Sequence, residues 1–249
     1  MASKLIWTDE DKFFITTFNK KLFDDYAHQF IKTYIDTKQS IKVICYVEED
    51  FDYPKHDNIT YINLLKEVPE LVEFKERHKD KIWEGDRDFL QNAVRFSHKV
   101  FSQYHASKLN KKFMWLDADN IFIKQIPDNF VETFIPGDTF TTFYGRNHYT
   151  ECGVVGFNCT LDISKKFFDI YLSHYTKDTI YNLPNKTDCH AFDNTRKLIQ
   201  VKERNKNDNH GGHIIARDKE INPYLDHKKG KRKYKDNSPE WLRQTNESR

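Results

Sequence analysis

The sequence predicts an α/β domain, a mostly parallel central sheet flanked by helices. The chain has 249 residues, 38% hydrophobic and 15% aromatic with only 8 Gly, enough for one sizeable core. Along it, short runs rich in β-branched and aromatic residues alternate with stretches whose apolar residues recur at helical spacing. Strands separated by helices in this way favour parallel pairing with the helices packed on the sheet faces.

Taken in order, "KFFITTF" (12 to 18) reads as the first strand, and Leu22, Tyr26, Phe30 and Tyr34 form the apolar stripe of a helix leading to a second strand, "IKVICYV" (41 to 47). "NITYINL" (58 to 64) adds a short strand. The highly charged stretch from Lys66 to Asp88 is expected to be loop and irregular helix. Phe89, Ala93, Phe96, Val100 and Tyr104 mark a second long helix that delivers the chain to "KFMWLDAD" (112 to 119). "DTFTTFYGR" (138 to 146) and "CGVVGFN" (152 to 158) are strand-like, and Ile163, Phe167, Ile170 and Tyr171 define a further helix. No internal repeat is present.

The charge balance, 40 Lys plus Arg against 38 Asp plus Glu, leaves a net +2, so no global field marks a nucleic-acid binder. The exception is "KKGKRKYK" (228 to 235), with six cations in eight positions. Cys45, Cys152, Cys159 and Cys189 lack C-x-x-C spacing and are expected as buried free thiols in a reducing compartment. With no apolar run of membrane-spanning length and no N-terminal apolar leader, a cytoplasmic protein is expected.

The chemistry concentrates at Asp117-Ala118-Asp119. Both aspartates follow a buried-looking strand, at the sheet end where parallel α/β folds bind ligands. On an extended chain, residues two apart point the same way, so the two carboxylates repel unless a cation lies between them. Oxygen ligands of this kind suit Mg²⁺ or Mn²⁺ shared with a substrate's phosphates. The alternative is a turn with solvated aspartates.

"WLDADNIFIKQIP" resembles the Asp-x-Asp region of nucleotide-sugar-dependent glycosyltransferases of the GT-A fold, particularly the glycogenin-like and bacterial galactosyltransferase-like group, glycosyltransferase family 8. That group carries His-x-x-Gly-x-x-Lys near its C-terminus, and this chain reads His227-Lys-Lys-Gly230-Lys-Arg-Lys233. Pro and Trp follow the Lys in that group, whereas Tyr234 and Lys235 follow it here. The resemblance implies a Rossmann-like GT-A catalytic domain over residues 1 to 225 and a basic C-terminal lid, 226 to 249, closing over the donor diphosphate. It implies that His227 joins Asp117 and Asp119 on Mn²⁺ (or Mg²⁺), with Ala118 beside the donor and the Gly230 backbone and Lys233 ammonium on the diphosphate. Neutral imidazole favours Mn²⁺, Gly lets the backbone approach a phosphate, and Lys supplies a point charge.

Other segments fit the same resemblance. "YTECGVVGFN" is similar to the strand lining the sugar pocket and brings in Glu151 and Gly153, while "KTDCHAFDNT" (186 to 195) sits where the family has an acidic residue under the donor sugar, Asp188 before Asp193. For Glu151, Asp188 and Asp193 a surface or capping role stands beside the catalytic one. Thr17 and Asn19 follow the first strand, where the family holds base and ribose. Arg95 and Lys99, four apart on one helix, either face solvent or reach the donor.

These readings amount to a metal-dependent glycosyltransferase that moves a sugar from a nucleotide diphosphate, a UDP-sugar first, to a hydroxyl with retention of configuration. The Lys-, Asn-, Phe- and Tyr-rich composition resembles that of phage-encoded enzymes, which implies a hydroxymethylated DNA base as an acceptor alongside a glycan. From other classes, a metal-dependent nuclease also uses paired aspartates and a basic segment. A non-catalytic nucleotide- or sugar-binding module on the same fold is the remaining rival.

Overall fold

The structure, a computed structural model, describes residues 12–81, 89–206, 214–230 and 232. Strand β1 (Lys12–Phe18) is followed by one continuous helical run: α1 (Lys20–Leu22), a wide π turn (Phe23–Ala27) and α2 (His28–Asp36). Asn19 starts the run, its side chain accepting the Leu22 N–H at 2.8 Å. β2 (Val43–Val47) and β3 (Ile59–Asn63) come next, and Asn63 caps α3 (Leu64–Glu67).

The charged stretch expected to be irregular contains a regular helix, α4 (Pro69–Arg77). Pro69 sits in its first turn, where no N–H is needed, and Leu71 and Phe74, three apart, bury its one apolar edge while the charges face outward.

α5 (Ala93–Ser107) leads to β4 (Lys112–Leu116), a turn and β5 (Asn120–Phe122), then α6 (Phe130–Phe134), β6 (Thr141–Tyr144) and β7 (Glu151–Asn158). α7 (Ile163–Thr176), α8 (Asp188–Ile199), β8 (Glu203–Asn205), α9 (Ile214–Arg217) and β9 (Leu225–His227) complete the described chain.

Seven strands form one sheet in the order β3-β2-β1-β4-β7-β6-β8. Pairing is parallel except where β7 runs antiparallel to both β4 and β6. The strands are covered on both faces. In β1, Phe13 and Ile15 enter one core cluster and Phe14 and Phe18 the other, and in β4, Phe113 and Trp115 divide from Met114 and Leu116 in the same way. Helices α4, α5, α7 and α8 supply the first cluster, and α2 and α6 with the β5–β9 ribbon supply the second. Among the described residues no helix is long and apolar enough to cross a membrane.

The two-stranded ribbon β5–β9 positions the site. Its antiparallel register sets Asn120 opposite His227 and Phe122 opposite Leu225, so the chain returns to the Asp-x-Asp turn just where the basic segment begins. Residue 226, expected to open a separate tail, therefore lies inside a buried strand. The described cations beyond it are also anchored. Lys228 donates to Gln29 at 3.1 Å, Lys229 pairs with Glu151, and Arg232 pairs with Asp226 at 2.7 Å.

Candidate active site

Asp117 directly follows β4, and the chain turns at once: Asn120 N–H and side-chain amide both donate to the Asp117 carbonyl, at 2.9 and 2.7 Å. The two aspartates thus converge across a tight turn and not along an extended strand, because Asn120 closes the turn with its own side chain. Carboxylate oxygens of Asp117 and Asp119 and a ring nitrogen of His227 all lie within 4.8 Å of one another. His227 Nε2 stands 3.0 Å from Asp119 and 3.8 Å from Asp117 Oδ2.

Each member is held from behind. Asp117 Oδ1 accepts from Trp115 Nε1 at 2.6 Å and from Lys99 Nζ at 2.8 Å, which leaves Oδ2 toward His227. Trp115 and Asp117 are two apart on a strand, so this contact was open to the alternation rule. The Asp117 N–H donates to the Gly153 carbonyl at 2.9 Å, tying the turn to β7. Gly153 itself makes room for the imidazole, since a Cβ there would come within 2.3 Å of His227 Cε1. Burial would lower the His227 pKa, but Asp119 and Glu151 reverse this and hold it above the ordinary histidine value.

Lys99 is 9% exposed, so the solvent-facing alternative for this residue fails. Its ammonium lies 3.0 Å from Asp188 as well as beside Asp117, and 4.9 Å from the centre of the Trp115 ring. Burial disfavours its charge, yet the two carboxylates raise its pKa well above the ordinary lysine value. One ammonium shared between two acids leaves Asp188 short of compensation. Burial lifts the Asp188 carboxyl above its usual range, against the pull of Lys99, and Asp117 adds to the rise. Thr187 caps α8 and places Asp188 in its first turn, facing the site.

Glu151 is buried at the start of β7, paired with Arg146 and Lys229, and accepts the Gly153 N–H at 3.1 Å. Burial would raise its pKa, but His227, Lys229 and Arg146 outweigh it and hold the carboxyl at about 2. Lys229 falls between the fixed positions of His-x-x-Gly-x-x-Lys, and its cationic character was the only sequence signal for this role.

Asp117, Asp119, His227, Asp188, Glu151, Gly153, Lys99 and Gly230 line one cleft of about 360 Å³, together with Tyr149 and Lys229. Gly230 adopts φ +59°, the left-handed region, and a Cβ on it would meet open space, so backbone conformation and not crowding favours glycine there. Thr17, Asn19 and Arg95 line a neighbouring pocket of about 360 Å³ with Glu48 and His98. Thr17 donates to the Tyr46 carbonyl at 2.9 Å, and the Arg95 guanidinium lies 4.4 Å over the Phe89 ring.

Two expected residues lie elsewhere. The Ala118 side chain is 7% exposed and packs in the core cluster with Leu116 and Phe122, because the turn points the middle residue of the motif inward. Asp193 accepts from Thr150 N and Oγ1 at 2.9 and 2.6 Å and from Arg196 Nε at 2.9 Å. Five residues along α8 from Asp188, it meets Thr150 in the loop before β7 and is not among the residues lining the cleft. Lys233 lies outside the described residues.

No protein-family model matches the chain, and no curated protein matches it. In fold it is similar to mouse xyloside xylosyltransferase 1 in its apo form, with a TM-score of 0.51 and 10% identity over 79% of this chain and 85% of that one. Solved structures of the bifunctional glycosyltransferase WbbM (TM-score 0.46, 9% identity, 80% of this chain and 39% of that one) and of GlyE from Streptococcus pneumoniae TIGR4 (0.42, 12%, 78% and 45%) also match. The chain spans less than half the length of these last two. With the sheet order above, the first likeness shows a GT-A, Rossmann-like fold.

Proposed function

We propose that this chain is a glycosyltransferase that uses a divalent cation, Mn²⁺ or Mg²⁺, to move a sugar from a nucleotide diphosphate, UDP first, to an acceptor hydroxyl. The observation that carries the reading is the convergence of Asp117, Asp119 and His227 in the lining of one cleft. Two carboxylates and an imidazole are a donor set that fits Mn²⁺, and Gly153 is the cradle that lets the imidazole reach it. A divalent ion held by these three residues would neutralise charge on the leaving diphosphate.

The chain's own groups supply the rest. Lys99 orients Asp117 and Asp188, so that one faces the metal ligands and the other the sugar. Asp188, within the cleft, stabilises positive charge that grows on the sugar as the glycosidic bond breaks. Glu151 anchors Lys229, and with it the approach to Gly230, whose backbone and the following Lys233 serve the diphosphate. The pocket of Thr17, Asn19 and Arg95 suits the base and ribose. Retention of configuration follows the family resemblance.

The test is incubation with a panel of nucleotide sugars, with and without Mn²⁺, offering glycan acceptors and hydroxymethylated DNA, and reading product masses. A sugar-sized mass gain that requires Mn²⁺ and names the acceptor is expected. Absence of both transfer and donor hydrolysis across the panel would overturn the reading.

A further inference from the structure

The cleft contains a second cluster of ligand atoms, of which the transferase reading uses only Asp188. Cys152 on β7, and Asp188 and Cys189 in the first turn of α8, bring two thiols and a carboxylate within 4.8 Å of one another. Cys189 Sγ is 3.8 Å from both Asp188 oxygens. All three residues line the same cleft as Asp117, with Cys152 buried and Cys189 half-buried.

We propose that Cys152, Asp188 and Cys189 form a binding site for a soft divalent cation such as Zn²⁺, separate from the hard Asp117, Asp119 and His227 set.

Three features of the cluster favour this ion. The first is donor chemistry. Thiolate sulfur selects Zn²⁺ and its heavier congener Cd²⁺, whereas carboxylates with water and phosphate suit Mn²⁺ and Mg²⁺, so two sites of different hardness share one cleft. The second is coordination number. Three protein ligands leave a tetrahedral ion one open position. The third is electrostatic. With the ion absent, the ionisable groups here are the Cys152 and Cys189 thiols, the Asp188 carboxylate and the Lys99 ammonium, which Asp188 shares with Asp117. Loading releases two thiol protons and admits one dication, so the net charge of the buried cluster is unchanged and no uncompensated charge is buried. Lys99 engages Asp188 Oδ2 and leaves Oδ1 for the ion.

The experiment is a titration of the reduced full chain with Cd²⁺ in the presence of a phosphine reductant, following sulfur-to-cadmium charge-transfer absorbance. A single ion per chain with a thiolate band is expected, unaffected by excess Mn²⁺ and retained in Asp119→Asn. Cys189→Ser and Cys152→Ala should each weaken Cd²⁺ binding by about tenfold or more, while Cys45→Ala and Cys159→Ala leave it in place. If Cys152→Ala fails to fold, Cys189→Ser at its half-buried position carries the test. Absence of the band in the wild-type chain, its persistence in Cys189→Ser, or its displacement by Mn²⁺ would overturn the proposal. None of these readouts depends on sugar transfer.

Discussion

Gly153 and His227 touch so closely that any side chain on the glycine would enter the imidazole, with the nearest contact at 2.3 Å. Gly153→Ala is therefore expected to displace His227 from Asp119. It should cost roughly 1–3 kcal/mol of stability, as overpacking does, and weaken Mn²⁺ binding about tenfold or more. Calorimetric Mn²⁺ titration beside a urea melt checks both, and unchanged Mn²⁺ affinity would remove His227 from the metal set.

Lys99→Met should be among the most destabilising single changes in the chain. It leaves Asp117 and Asp188 without their shared cation, at a cost of about 3–5 kcal/mol. Adding Asp188→Asn should recover part of that loss, since one uncompensated buried charge is then gone. Chemical denaturation of the single and double variants measures the coupling, and additive losses would show that Lys99 and Asp188 act independently.

The two acidic residues of α8 should separate cleanly. Asp193→Ala removes the acceptor of the Thr150 and Arg196 hydrogen bonds and is expected to lower stability by roughly 1–3 kcal/mol, with donor turnover retained below its melting temperature. Asp188→Asn is expected to reduce turnover far more than donor affinity, because only interactions made in the transition state alter the chemical step. A folded Asp193→Ala protein without turnover would reverse the assignment.

Acid should weaken the fold through Glu48. Burial raises this carboxyl, but His98 and Lys75 outweigh it and hold the pKa at about 2, against an ordinary 4.5. A depressed carboxylate stabilises the folded state above its unfolded pKa and loses that contribution as pH falls through the folded value. Stability should thus decline between about pH 5 and about pH 2, with Glu48 responsible for on the order of 3 kcal/mol. Glu48→Gln should flatten the pH profile of the melting temperature in that window, and a profile parallel to wild type would exclude Glu48 as a source of the acid sensitivity.

The main strands and long helices were legible because their patterns are local. β1, β2, β4 and β7 are covered on both faces and read as near-continuous apolar runs, while α2, α5 and α7 carry stripes at helical spacing. α8 carries no readable stripe because only Asp188, Ala191, Phe192 and Thr195 are buried, too few apolar residues, and its start is marked by the Thr187 cap. α4 was hidden by its charges, although Pro69 followed by Leu71 and Phe74 was a readable start.

At the site, the sequence by itself determined the residue types: two aspartates at a strand end, one histidine with a glycine three residues later, and an acidic pair in "KTDCHAFDNT". Which of these meet was decided only by tertiary structure. The β5–β9 register brings His227 to the Asp-x-Asp turn, and packing of α5 against β1 and α8 sets Lys99 between Asp117 and Asp188. The turn after β4 sends Ala118 into the core, and the approach of the loop before β7 to α8 gives Asp193 to Thr150. Side-chain periodicity is set within one element by backbone geometry, whereas a lysine's burial or an aspartate's partner depends on elements far away in the chain.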